Sequence, residues 1–156
     1  MKLIVEYEKN TYEELLVEER TLLDAALKAT ENAYAPFSHF QVGCAVALSS
    51  GEVILGNNQE NKAFPSGICA ERTALFYVGS LGKSPEIRMI AIRAKSEKIA
   101  VNQPVTPCGA CRQVMLESET LAGTDITVLM MGEVGEVLKV KGVKKTLLPF
   151  CFEIEF

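Results

Sequence analysis

The 156-residue sequence has no tryptophan, a single histidine and no long hydrophobic run. Its first apolar stretch, Leu3-Ile4-Val5, ends at Glu6, which is too short for a signal peptide or a membrane span. A cytoplasmic, reducing location with no membrane partner is therefore expected. Positive charge is also scarce: 16 Lys and Arg face 20 Asp and Glu, giving a net charge of −4. An acidic chain repels a phosphate polymer, and Arg20 and the Lys144–Lys145 pair are scattered points rather than a stripe, so no nucleic-acid partner is expected. Repeats and low-complexity tracts are absent. What is there is ordinary for a folded protein: 48% hydrophobic and 23% charged residues exclude a disordered chain. One domain over 1–156 is expected, with an extension at 1–12 and a core over about 13–152. A chain of this length buries roughly two-thirds of its unfolded surface. With tryptophan missing, any Phe or Tyr near a pocket carries extra weight.

The apolar pattern alternates between helical and strand periods. Leu3–Tyr7 alternates as an edge strand would. Leu15, Leu16, Leu22, Leu23, Ala26 and Leu27 recur at helical spacing, predicting one long amphipathic helix from Glu13 to about Tyr34, before Pro36. Phe40 to Leu48 is small and apolar, as in a strand buried on both faces, and Ser49-Ser50-Gly51 turns it into a second strand at Val53–Gly56. Cys69–Ser80 and Cys108–Glu117 read as helices. Met89–Ala94, Ile126–Met131 and Val137–Val140 read as strands, and Val143–Leu148 as a short closing helix. Strands interleaved with helices predict an α/β fold: a three-layer α-β-α sandwich around a five-stranded mixed sheet, with a possible extra N-terminal edge strand.

Five cysteines in a reducing compartment point to metal or catalysis rather than disulfides. Pro107-Cys108-Gly109-Ala110-Cys111 places two thiols three positions apart at a helix start, on one side. Alone, this motif is compatible with half a zinc site, a thioredoxin-type redox pair or plain core packing. Cys69-Ala70-Glu71, also at a helix start, narrows the choice. A structural zinc closes four protein ligands, whereas a catalytic zinc keeps one position open. Cys69, Cys108 and Cys111 supply three ligands, with a carboxylate two residues from the first. Residues i and i+2 diverge on a regular helix, so Cys69 is expected at the cap, where the turn is not yet helical. Three thiolates on Zn²⁺ leave a net charge of −1. Acidifying water there needs compensating positive potential, which two helix N-termini supply. Arg72 and Arg112 follow ligand cysteines and are expected to donate to the sulfurs, with Gln113 as a neutral donor nearby. The lone His39 reads as a loop residue, and Cys44 and Cys151 as small buried hydrophobes.

Cys-x-Glu followed about forty residues later by Pro-Cys-x-x-Cys is the signature of zinc nucleobase deaminases, here in its all-cysteine form. Further landmarks make the chain resemble the small homotetrameric cytidine deaminases from about Ala33 to Phe152. They are Tyr34-Ala35-Pro36-Phe37-Ser38-His39-Phe40-Gln41-Val42-Gly43, Asn58-Gln59-Glu60-Asn61, Cys69 to Leu75, Pro107 to Gln113, and Leu147-Leu148-Pro149. The resemblance implies one Zn²⁺ per subunit on Cys69, Cys108 and Cys111. It also implies hydrolysis of cytidine, and of deoxycytidine, to the uracil nucleoside and ammonia, in pyrimidine salvage. Glu71 would be base and then acid. Phe40 would pack against the pyrimidine, Asn58 and Glu60 would bind the ribose hydroxyls, and the Ala70 backbone would read the base. Phe64 would be a ring of the pocket, and Phe152 an aromatic donated across subunits of a homotetramer with shared active sites. Asn58 and Glu60, one residue apart, share a face of an extended segment, which suits one ligand.

The chain departs from that family at Lys62-Ala63-Phe64. A phenyl ring replaces the usual phenol there, and a lysine adds an unexpected charge near the nucleoside. Three rival readings remain: a blasticidin-type aminonucleoside deaminase, a structural four-cysteine zinc site completed by Cys44 or Cys151, and a redox-thiol protein. The last two leave Glu71 and the Asn58–Asn61 segment without roles.

Overall fold

In the computed structural model, which describes residues 2–152, a hairpin of two strands makes one edge of a sheet. The strands are β2 (Phe40–Leu48) and β3 (Val53–Asn57), joined by a tight turn at Gly51. On the other flank of β2 lies antiparallel β4 (Ile87–Ser96), which runs parallel to β5 (Thr127–Met131). Antiparallel β6 (Val137–Lys141) and then β1 (Glu8–Asn10) complete the order β1-β6-β5-β4-β2-β3. The mixed sheet thus has six described strands, the N-terminal edge strand included.

That edge strand sits later than expected, at Glu8–Asn10 rather than Leu3–Tyr7. Side-chain charge sets its position. Lys139 of β6 reaches Glu8 at 3.6 Å and the buried Glu19 at 2.9 Å, while Leu3 and Ile4 stay exposed. The long first helix is also divided. Leu15 and Leu16 are extended, and the helix proper, α1, spans Val17–Ala29 with short 3-10 turns on either side. Glu19 accepts the Leu16 amide at 3.0 Å, closing the helix start from within.

Helix α1 covers one face of the sheet. Helices α2 (Ala70–Ser80), α3 (Gly109–Ala122) and α4 (Val143–Thr146) cover the other, giving the α-β-α layers. The split follows strand alternation: in β4, Ile90 and Ile92 join the α2/α3 core, while Ala91 joins the α1 core. Each fully buried aliphatic side chain contributes about 1.5–3 kcal/mol. Two glycines of the hairpin let helix backbone touch the sheet on opposite faces. A Cβ at Gly43 would lie 1.9 Å from the Ala26 carbonyl oxygen of α1. A Cβ at Gly56 would lie 2.5 Å from the Ala74 nitrogen and 2.6 Å from the Ala70 oxygen of α2. The first turn of α2 therefore rests directly on β3. No helix among the described residues is long and apolar enough to cross a membrane.

Candidate active site

Helices α2 and α3 begin side by side on the same face, and each begins at a cysteine. Cys69 is the N-cap of α2 (φ −74°, ψ 154°) and Cys108 the N-cap of α3 (φ −66°, ψ 167°). Extended cap geometry turns both side chains off the helical path, and Cys111 faces them from the first turn of α3. Their three sulfurs lie within 4.8 Å of one another, with Cys108 to Cys111 at 3.4 Å and Cys69 to Cys108 at 3.8 Å. Cys44 and Cys151 are outside this group, so no four-cysteine cluster forms among the described residues.

The electrostatics suit a metal. Hydrogen bonding from Cys111, supported by Arg72 and Cys108, lowers the Cys69 thiol to about 5. The Cys111 thiol moves upward, because the same hydrogen bond and its burial keep the proton there. Cys69 and Cys111 are thus pushed in opposite directions by one shared proton, which a metal displaces. Arg72 places Nη2 3.7 Å from the Cys69 sulfur, and its buried Nε has no hydrogen-bond partner among the described residues. A guanidinium against three convergent thiols is the cation that a net-negative thiolate site needs. Together with two helix N-termini, this donor set fits zinc. Glu71, in the first turn of α2, is 4% exposed. Burial raises its pKa, and the nearby Cys69 charge adds to that.

Beside the sulfurs opens a cleft of about 500 Å³ whose walls include Phe37, Asn58, Glu60, Phe64, Cys69 and Arg72. It is built by bridging segments: Tyr34 pairs with Gln59, and Gln59 with Ile68, carrying the chain from β3 back to Cys69. The Asn58 amide is anchored on β2, accepting the Val42 amide at 2.8 Å and donating to the Phe40 carbonyl at 2.9 Å. Glu60 accepts the Phe37 and Ser38 amides at 2.8 and 3.3 Å. The Ser38 hydroxyl and these amides hold its carboxyl below the usual range, so it is ionised at neutral pH. Phe37 meets Phe64 edge-on, with centroids 5.7 Å apart at 74°. His39, between Ser38 and Phe40, has φ 56°, the sole positive value outside glycine among the described residues. The Ser96 hydroxyl holds its carbonyl at 2.7 Å, so the bend that delivers Phe40 to β2 is secured from β4.

Other expected residues are placed less simply. Phe40 is half-buried at the head of β2, Ala70 is fully buried at the start of α2, and Phe152 is exposed. Arg112 does not donate to a sulfur. Its side chain runs back along α3, giving Nε to the Pro107 carbonyl at 2.9 Å and Nη1 to the Leu147 carbonyl at 3.1 Å. Gln113 lines a separate groove between α2 and α3 with Leu75, Phe76 and Leu121, away from the thiols. Two positions beyond Cys111, it is turned about 200° around the helix, onto the opposite side. Phe37 and Ser38 were not singled out from the sequence as site residues. Their only signal was membership in the Tyr34–Gly43 segment. A larger cleft, about 860 Å³, lies between the N-terminal arm and β6 and contains none of the candidate site residues.

Comparison with known proteins agrees with this geometry. Residues 17–123 match the family model described as the cytidine and deoxycytidylate deaminase zinc-binding region. A cytidine deaminase of Halalkalibacterium halodurans is 39% identical over 139 residues, covering 89% of this chain and 97% of that one. The crystal structure of a cytidine deaminase from Burkholderia pseudomallei superposes with a TM-score of 0.74 at 37% identity, covering 88% of this chain and all of that one. The cytidine deaminase of Mycobacterium tuberculosis gives 0.67 at 27% identity, with 89% of this chain covered. The chain belongs to the cytidine and deoxycytidylate deaminase zinc-binding family.

Proposed function

We propose that this chain is a zinc-dependent hydrolase that converts cytidine, and deoxycytidine, to the uracil nucleoside with release of ammonia. The observation that carries the reading is the buried Glu71 beside a three-thiol donor set, one member of which, Cys69, lines a cleft together with Asn58 and Glu60. Zinc on Cys69, Cys108 and Cys111 supplies a Lewis acid that makes water nucleophilic at neutral pH. Glu71 takes the proton of the attacking water, places it on N3 of the base, and later delivers a proton to the departing exocyclic amine. Its raised pKa brings it nearer to working pH, as a group that both accepts and donates requires. Arg72 holds the thiolate charge at Cys69.

On the substrate side, Asn58 and Glu60 bind the ribose hydroxyls with the lone pairs and protons that their backbone anchors leave free. Phe40, Phe64 and the Ala70 backbone contact the base and sugar. The ionised Glu60 repels a phosphate, which favours a nucleoside over a nucleotide. The active unit is a homotetramer in the cytoplasm. Exposed Phe76, Tyr77 and Leu121 on α2 and α3 supply apolar surface for contact between copies, and exposed Phe152 supplies a ring for a neighbour's cleft. Zinc-loaded protein assayed on cytidine, deoxycytidine, CMP, cytosine and blasticidin S tests the reading. Turnover of the two nucleosides is expected; turnover of blasticidin S alone would replace the substrate, and turnover of none would remove the function. Light scattering on wild type and Phe152→Ala tests the assembly, with tetramers expected for both and lost activity for the variant.

A further inference from the structure

We infer that Arg112 is a positioning residue that couples the metal-ligand loop to the C-terminal segment. Its guanidinium spans two backbone carbonyls that belong to different parts of the chain. One is Pro107, buried and immediately before the Cys108 ligand. The other is Leu147, at the end of α4, where the chain departs toward Phe152. The Arg112 amide also closes the first turn of α3 on the Cys108 carbonyl at 2.9 Å. One residue therefore holds both peptide groups that flank the Cys108 side chain and ties them to the tail.

The physical reason for arginine is its fork. Nε and Nη1 are rigidly related donors, so aiming one fixes the other, which a lysine ammonium does not do. Side chains on helices lean toward the N-terminus, which directs Arg112 back past Cys108 to Pro107. α4 is held from a second side as well: Glu119 of α3 accepts the amides of Val143 at 2.7 Å and Lys144 at 3.1 Å. With α4 fixed to α3 in this way, Leu147 is a stable anchor, and the Arg112 bridge transmits that stability to the ligand loop. Loosening the bridge frees Cys108, the most exposed of the three ligand cysteines, to leave the metal first.

This inference rests on zinc binding by Cys108, and the test separates the two. Zinc release from loaded wild type, Arg112→Gln and Arg112→Lys is followed with a chromogenic chelator, and amide exchange is mapped on the same samples by mass spectrometry. Release is expected to accelerate about 10–100-fold in Arg112→Gln and by less in Arg112→Lys, which keeps one donor. Exchange is expected to rise together over residues 104–112 and 143–152, while β4 and β5 stay protected. Release within twofold of wild type in both variants, or exchange that rises in one segment only or over the whole molecule, overturns the coupling. Wild type that takes up no zinc overturns the metal reading itself.

Discussion

The starts of α2 and α3 look alike and work differently. Each has a cysteine at the cap in extended conformation and an arginine within the next four residues. At α2, Arg72 lies three positions beyond Cys69 and reaches its sulfur. At α3, Arg112 lies four positions beyond Cys108 and reaches carbonyls instead. The α2 start holds the groups to which the proposed function gives the chemistry, with Glu71 buried behind the cap and Arg72 on the Cys69 sulfur. The α3 start carries the scaffold, with two ligands and a brace to the C-terminal segment. A second asymmetry lies underneath: the first turn of α2 sits on Gly56 with no room for a Cβ, whereas a Cβ at Gly109 of the α3 start would meet nothing within 4 Å among the described residues outside its own helix backbone.

The largest effect that this comparison implies falls on Glu71. Glu71→Gln is expected to keep zinc and the fold while kcat drops at least 10²–10⁴-fold, the range for losing a general acid–base group. Steady-state rates with metal analysis on the same sample check it, and ordinary turnover would take Glu71 out of the mechanism. Arg72→Gln comes next, with activity expected to fall about 10–100-fold. In metal-free protein its Cys69 thiol should titrate above the wild-type value of about 5, because one of the hydrogen bonds favouring the thiolate is gone. Thiolate absorbance against pH reads this directly, and Arg112→Gln should move that curve less, since it acts only through Cys108. A matching shift in both variants would erase the distinction between the two helix starts.

Gly56→Ala probes the seat of α2. Forcing a methyl into backbone is expected to destabilise by about 1–3 kcal/mol or more, read by denaturant melts. Gly109→Ala, with open space at its Cβ, is expected to be close to neutral. Equal losses at the two glycines would contradict the described contact.

The smallest effect belongs to Glu60. Its carboxyl is held below the ordinary 4.5 by Ser38 and two backbone amides, so its contribution is fully present above that value and fades as pH falls through the lowered one. Thermal scans of wild type and Glu60→Gln from pH 3 to 7 should therefore show a gap at neutral pH that closes in acid. A gap that widens toward low pH would reverse the sign.

The three-cysteine ligand set was legible because a metal site depends on residue type and on the spacing of Cys108 and Cys111 along one turn. The sheet was legible too, since strands such as Phe40–Leu48 and Ile126–Met131 are read from runs of small and branched apolar residues. The side-chain directions at Arg112 and Gln113 were not. Adjacency to Cys111 says nothing about which groove a long side chain follows, and the Pro107 and Leu147 carbonyls that capture Arg112 come from elsewhere in the fold. The division of the first helix has no local sequence signal for a related reason. Leu16 is not a capping residue type, and its role follows from Glu19, whose own partner Lys139 lies across the sheet. The edge strand was displaced by the same lysine, a contact with no local signature.

The proposed function requires the three-thiol centre to be catalytic, with Glu71 as its proton carrier. It is tested most directly by measuring zinc per chain and ammonia released from cytidine on the same preparation of wild type and Glu71→Gln. Close to one zinc per chain is expected in both, with ammonia and uridine formed one to one by wild type and nearly none by the variant. Zinc-loaded, folded wild type that releases no ammonia from cytidine or deoxycytidine would contradict it.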